Sequence, residues 1–303
     1  SPSISHLLFR LNTFHPQSLP AISDALKWIP SLKSLTFSEC SIGSQGAAFI
    51  ADSLKSNHTL EELQIWEDSI GLDGAEQLAN MIEANSSLKL LTIFDSRHVT
   101  AVPIVSAVLA RNSSMEFHFW SSRKDGRVEK VMEYGEGCLR VYRLESSDAC
   151  RVGTSLGLNT SVGNLDMTGV KLSSSFCKEF RWVLERNRFL TEVKLAKSRI
   201  KNKGIVYISA GLFKNTSLRC LHVQGNEFNG VGLEHLLCPL SRFSSLQLQA
   251  NVTLKTLIFG GKGRMGSVGV SAIVQMIATN ETLVNLGIHD DYALTPLDFE
   301  KIF

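Results

Sequence analysis

The sequence predicts an α/β fold, a solenoid of short strand–helix units in which no unit stands alone. Three observations predict it. One phrase recurs along the 303 residues: Asn, any residue, Ser or Thr, then an apolar residue. The apolar residues that close the phrase keep a period of 28 over long stretches. Inside each period the apolar spacing changes from alternation, which suits a strand, to three- and four-residue steps, which suit a helix. A repeat of that length marks stacked supersecondary units.

The phrase begins at Asn57, Asn85, Asn159, Asn215, Asn251 and Asn280, with a looser copy at Asn187. Its apolar residues are Ile4, Leu32, Leu60 and Leu88, then Val162, Leu190 and Leu218, each 28 from the last within its group; Leu254 and Leu283 follow at 36 and 29. Each unit opens with a strand. In Leu218, Leu221, Val223, Asn226, Phe228 the apolar residues alternate, then give way to a polar residue that bonds the backbone as the chain turns. Cys40 holds that polar place in the Leu32 unit and Asp68 in the Leu60 unit. A glycine follows at Gly46, Gly74, Gly204 or Gly232, placed to ease the turn into the helix. The helix then carries a stripe such as Ala47, Ile50, Leu54 or Ile205, Ile208, Leu212. The closing Asn is expected to end it in a left-handed cap. A single unit leaves its apolar face bare, so neighbours must stack.

The repeat breaks over residues 115–161. Leu88 predicts a unit starting at 116, and the run 115–120 is strand-like, but residues 121–130 are polar and lack a helical stripe. We read 121–137 as a surface loop replacing one helix, followed by a strand at 139–144 and a helix at 149–158. A continuous single domain over 1–303 is expected, because an unpaired sheet edge near 114 would be a liability; the alternative is a boundary between two repeat blocks. A second insertion lies around 238–245. The chain opens Ser-Pro-Ser and closes inside an amphipathic pattern, so we expect a fragment of a longer protein.

These units resemble the leucine-rich repeat family, specifically its ribonuclease-inhibitor-like branch of strand-plus-helix units of about 28 residues. The resemblance covers nearly the whole chain. It implies a horseshoe with a parallel sheet on the concave face and helices outside.

Composition and motifs exclude several functions. With 31 Lys and Arg against 29 Asp and Glu, the balance of +2 gives no nucleic-acid groove or polybasic membrane surface. Apolar runs such as 102–110 fall far short of the roughly 20 residues a membrane helix needs. Six cysteines without a CxxC pair make no disulfide scaffold. Residues 261–266 match GxGxxG between a strand and a helix, but the acidic residue 20 positions on, Glu281, precedes the next strand instead of ending it. We read the match as a repeat turn, with no cofactor. The Asn-x-Ser/Thr triplets match glycosylation acceptors, yet the repeat alone explains them. His6, His58, His98, His222 and His289 show neither i, i+4 pairing nor HExxH, so no metal is expected, and no catalytic arrangement stands out.

The residues between core positions line the concave face. Trp66 and Phe94 hold the same place in adjacent units, with Trp120 extending the row if the degenerate unit keeps register. Glu39, Glu67 and Asp95 are expected to form an acidic row beside them. Lys194 and Lys197 form a separate basic spot. Aromatic anchors rimmed by charge suit a protein partner; the alternative is that the 121–137 insertion covers them.

Two stretches, 260–270 and 283–292, resemble the amino-terminal repeat region of plant proteins of the ROCO class. In that class the repeats precede a Ras-like GTPase module. The resemblance implies a non-catalytic interaction scaffold in auxin-related developmental signalling, cytoplasmic or peripheral to the plasma membrane. Two other readings stay open: an intracellular immune-receptor repeat domain and an extracellular receptor ectodomain.

Overall fold

The computed structural model describes residues 4–14, 18, 20–21, 24, 26, 29–66, 70–95, 100–111, 115–122, 127–144, 146–241, 251–261 and 265–289. The chain divides into two compact units, Ser1–Leu139 and Arg140–Phe303.

In the first unit, strands β1 (His6–Arg10), β2 (Ser34–Ser38), β3 (Glu62–Trp66), β4 (Leu90–Phe94) and β5 (Glu116–Ser122) pair in parallel in sequence order. The period of 28 sets the register: Leu7 lies opposite Leu35, Leu35 opposite Leu63, and Leu63 opposite Leu91. Helices α1 (Gly43–Lys55), α2 (Gly71–Ala84) and α3 (Ala101–Arg111) follow β2, β3 and β4 and bury their apolar stripes. At the β1 end Phe9 stacks on Phe37 at 5.3 Å, and Phe14 packs edge-on against both.

The degenerate unit differs from expectation twice. Leu91 pairs with Phe117, an offset of 26 in place of 28, so the unit is shifted by two residues from the expected start. The stretch read as a surface loop instead contributes β6 (Val128–Gly135), which runs antiparallel to β5. Its buried Val131, Met132 and Tyr134 hold it there. A tight turn through Glu136 and Gly137 leads to β7 (Cys138–Val141), which straddles the division between the units.

In the second unit, helix α4 (Ser146–Leu156) precedes strands β8 (Asn164–Asp166), β9 (Glu192–Lys194), β10 (Cys220–His222), β11 (Thr256–Phe259) and β12 (Asn285–Ile288). These also pair in parallel, with Leu165, Val193, Leu221, Leu257 and Leu286 aligned. The 36-residue step between β10 and β11 leaves the register intact. Helices α5 (Ser174–Arg186), α6 (Asn202–Leu212), α7 (Gly230–Leu237) and α8 (Gly266–Thr279) lie between the strands in sequence, and a 3₁₀ turn (Cys238–Leu240) begins the insertion.

The closing Asn works differently from a left-handed cap. Asn85 has φ −83° and ψ 132°, and Asn187 and Asn280 are likewise extended. The amide side chain does the work. Asn85 Oδ1 accepts from the backbone N–H of Ser87 and Leu88, and its Nδ2 donates to the carbonyls of Leu54 and Asn57 in the preceding unit. Asn187 repeats this on Leu156 and Asn159, and Asn251 on Leu212 and Asn215. Each Asn therefore ties its own turn to the previous one and satisfies buried backbone groups that would otherwise be orphaned. Of the asparagines in Asn-x-Ser/Thr triplets, Asn57, Asn85, Asn159, Asn215 and Asn251 are buried, and the Nδ2 groups of Asn57, Asn85, Asn215 and Asn251 donate to backbone carbonyls.

The glycines also act differently. A Cβ on Gly74 would sit 2.9 Å from Ile70 Cγ2 and 3.0 Å from Ala47 Cβ, and one on Gly204 would sit 2.9 Å from Cys177 Sγ. These glycines permit close packing against the preceding helix. Positive φ occurs instead at the first helical residue, as at Gly71 and Gly266.

A second polar ladder lies where the strands turn away. Asn226 Nδ2 donates to Leu195 and Val223 carbonyls, while its Oδ1 accepts from Ser198 and Ile200 N–H. Cys40 Sγ, in the same repeat position, donates to Phe9 and Ser38 carbonyls. Both residues are buried structural links.

Candidate functional site

The site lies in the first unit, on strand residues that alternate with the core positions. Trp66 and Phe94 end β3 and β4, and Trp120 lies two residues before the end of β5; the three are in register, Trp66 opposite Phe94 and Phe94 opposite Trp120. The residues just before them, Ile65, Ile93 and Phe119, are fully buried, so pleating sends the aromatic rings to the other face. Trp66 stacks on Phe94 with centroids 6.1 Å apart and planes at 19°, and the Trp66 and Trp120 rings approach to 6.2 Å. All three remain partly accessible. Spacings of this kind are the offset arrangements that aromatic quadrupoles favour. Trp66 Nε1 reaches Gln64 Oε1 at 3.4 Å, a long hydrogen bond.

The acidic row does not form as expected. Glu39 is exposed, and its N–H donates to the Trp66 carbonyl. Glu67 lies outside the described residues. Asp95 is fully buried, and its Oδ2 accepts from Gly71 N–H at 3.3 Å, at the start of α2. A carboxylate there faces unpaired helical N–H groups and the positive end of the helix dipole, which draws it inward. Asp95 is a structural cap and leaves the row.

The strand that replaced the expected loop adds residues that motif spacing could not reach. Lys130 on β6 sits opposite Trp120 on β5. Its Nζ lies 5.0 Å from the Trp120 ring centroid and 2.6 Å from Glu133 Oε2. The insertion thus places one cation on the end of the row and leaves the rings partly open. His118, two residues before Trp120, is held below the ordinary histidine range, chiefly by burial and then by the Lys130 charge, with Glu133 and Glu116 opposing. The alternation in 128–135 was the available signal for this strand; its polar flanks hid it.

At the base of the same strands, Glu61 bridges Lys33 at 2.9 Å and Lys89 at 2.5 Å. Hydrogen bonds from Lys89 and then Lys33 lower its carboxyl to about 2. In the second unit the expected basic spot is partly neutralised. Lys194 Nζ lies 3.2 Å from Glu192 Oε1, and His222 lies 3.6 Å from the same oxygen. Burial lowers the His222 pKa first, with Glu192 opposing. Lys197 is exposed.

The GxGxxG stretch behaves as part of the repeat. Gly261 bridges to Asn226, and Gly266 opens α8 with φ +60°; residues 262–264 lie outside the described set. Among the described residues no group of three His, Cys, Asp or Glu could hold a metal ion, and no helix is long and apolar enough to cross a membrane.

Residues 214–237 match the family described as Leucine Rich repeat. With that match, the parallel strands in 28-residue register and their following helices decide the architecture. The chain is built of leucine-rich repeats. It is similar to Protein TORNADO 1 of Arabidopsis thaliana, with 55% identity over 216 residues, 70% of this chain. The chain spans 16% of that relative's length. Among solved structures it resembles the actin-binding site 2 of leiomodin-1, with TM-score 0.42 and 18% identity, covering 51% of this chain and 83% of that one. It also resembles the TLR13–ssRNA13 complex, with TM-score 0.40 and 10% identity, covering 94% of this chain and 36% of that one. In this leucine-rich repeat chain the Trp66–Phe94–Trp120 row is three successive copies of one repeat position turned aromatic, on the strand face away from the core.

Proposed function

We propose that this leucine-rich repeat chain is a non-catalytic protein–protein interaction scaffold, and that a partner docks on the aromatic row. The single observation that carries the reading is the stack of Trp66, Phe94 and Trp120 on three paired strands, partly open to solvent. Large rigid aromatics offer contact area at low conformational cost, and they dominate protein-binding hot spots. Parallel strands locked by the asparagine ladder hold the rings ready, which lowers the ordering cost of binding. Glu39 flanks the row as a charged rim.

The 55% identity to a plant relative favours the repeat region of a developmental signalling protein of the ROCO class, with an auxin-related role and a cytoplasmic or membrane-peripheral location. The engaged side chains of Asn85, Asn215 and Asn251, each in an Asn-x-Ser/Thr triplet, weigh against a glycosylated receptor ectodomain.

The test is affinity capture from plant tissue with the wild-type chain and with a Trp66→Ala, Phe94→Ala variant of unchanged circular dichroism. Loss of partners with the variant, by about tenfold or more, is expected for a hot spot. An identical partner set at identical yield would sink the aromatic-row reading.

A further inference from the structure

We infer that the aromatic row accepts a cation, and that its partner is an extended basic protein segment presenting an arginine or lysine side chain to Trp66 and Phe94. The inference rests on the reading above and adds the chemistry of the occupant. Two independent observations carry it. The fold already places a cation on this platform, because Lys130 Nζ sits 5.0 Å over Trp120 with Glu133 Oε2 2.6 Å away. An ammonium held between an indole face and a carboxylate is a stable desolvated arrangement. The Trp66 and Phe94 rings, 6.1 Å apart, continue the same surface with no cation on them among the described residues.

The second observation is the charge around the row. Glu39 follows the end of β2, Glu62 begins β3 and Glu116 begins β5, and each is at least partly exposed. Among the described residues none of the three has an ion-pair partner. This differs from Glu61, which is saturated by Lys33 and Lys89, and from Glu133, which holds Lys130. Among the described residues, the cations on the same strand face are Arg10, one strand beyond Ser38, and Lys130, already engaged. His118 is held below the ordinary histidine range and adds no charge at neutral pH. The platform therefore combines π faces with unpaired carboxylates. An anionic ligand such as a nucleic acid or an acidic lipid headgroup would meet Glu39, Glu62 and Glu116. A neutral apolar segment would desolvate those carboxylates without compensation. A guanidinium stacks on an indole, and further cationic side chains of an extended segment would reach Glu62 and Glu116, each four residues along its strand from Trp66 and Trp120.

The experiment is selection from a displayed library of random dodecapeptides against the wild-type chain, followed by titration of enriched synthetic peptides using Trp fluorescence. Enriched peptides are expected to carry Arg or Lys. Replacing that Arg by citrulline, which keeps the shape and removes the charge, should weaken binding by about tenfold, as should Trp66→Ala. A Glu39→Gln, Glu62→Gln, Glu116→Gln variant should weaken it and flatten its dependence on salt. Trp66→Phe, which keeps a ring, should recover part of the loss and guards against a folding artefact. Peptides that lose binding with Trp66→Ala but tolerate citrulline, or that carry no cation, would overturn this inference and leave the aromatic docking site standing. Peptides that bind the Trp66→Ala, Phe94→Ala variant as tightly as wild type would overturn both. A library yielding no peptide tighter than about 100 µM would overturn the basic-segment inference.

Discussion

Asn85→Ala should show how much stability the asparagine ladder supplies. Four hydrogen bonds to the backbone disappear: two accepted by Oδ1 from Ser87 and Leu88 N–H at 3.0 and 2.9 Å, and two donated by Nδ2 to Leu54 and Asn57 carbonyls at 2.7 and 2.8 Å. At a net value of about 1 kcal/mol each, the sum is about 4 kcal/mol. Asn57 carbonyl keeps a bond from Ser87 Oγ, so it is not orphaned. The Leu88 N–H is the costliest loss, because Leu88 is buried. The expected destabilisation is therefore about 3–5 kcal/mol. With a urea m-value of about 2–3 kcal/mol/M, the midpoint should fall by about 1–2 M, followed by Trp fluorescence near β3–β5. Asn85→Asp separates the two roles. It keeps the acceptor, loses both donors, and sets a carboxylate against two carbonyls. Burial and those carbonyls should raise its pKa, so the variant should be least harmed in acid and lose stability as pH rises through that pKa. A loss below about 1 kcal/mol for Asn85→Ala would refute the ladder as a source of stability. Wild-type behaviour of Asn85→Asp at pH 7.5 would refute the donor role.

Further expectations follow from single contacts. Gly74→Ala should cost about 1–3 kcal/mol by thermal or urea unfolding, because the new methyl meets Ala47 Cβ at 3.0 Å and the Ser44 backbone at 3.1 Å; Gly43→Ala, with φ +62° and open space, should cost only the left-handed penalty of about 1–2 kcal/mol. The Glu61 carboxyl, lowered to about 2 by Lys89 and Lys33, should give stability that is present above about pH 4.5 and lost as pH falls towards 2. Glu61→Gln should remove that dependence, and added salt should shrink it, since the group is solvent-accessible; unchanged acid unfolding of the variant would contradict it. Burial pushes the Cys177 thiol up to about 12, so it should resist alkylation at pH 8 until the chain unfolds. The same shift should cost stability as pH rises from about 9 to 12, an effect Cys177→Ala should lack.

Much of the architecture was legible because it is periodic. The 28-residue spacing assigned Leu35, Leu63 and Leu91 to one buried column and Trp66 and Phe94 to one open column, and the strands pair in that register. The jump of 36 before Leu254 was visible as an insertion, and the register survives it. Trp120 was legible only conditionally, because its unit is offset by 26 residues in place of 28 and the polar stretch after it gave no helical stripe. The misread details share one cause. Asn85 as a left-handed cap, Gly74 as a turn residue and Asp95 as a surface acid are each sensible locally. Each is decided instead by a neighbouring unit: the carbonyls of Leu54 and Asn57, the side chain of Ala47, and the N–H of Gly71.

The amino-acid sequence by itself determined the repeat, its alternation of strand and helix, the core columns and the position of the aromatic row. These depend on spacing, and spacing along a regular backbone fixes which residues share a face. Only the tertiary structure decided that Asp95 turns inward, that 128–135 pairs antiparallel with β5, and that Lys130 thereby comes to rest over Trp120. Those outcomes depend on which backbone groups are left unpaired once units stack, and on contacts between residues whose separation follows no period.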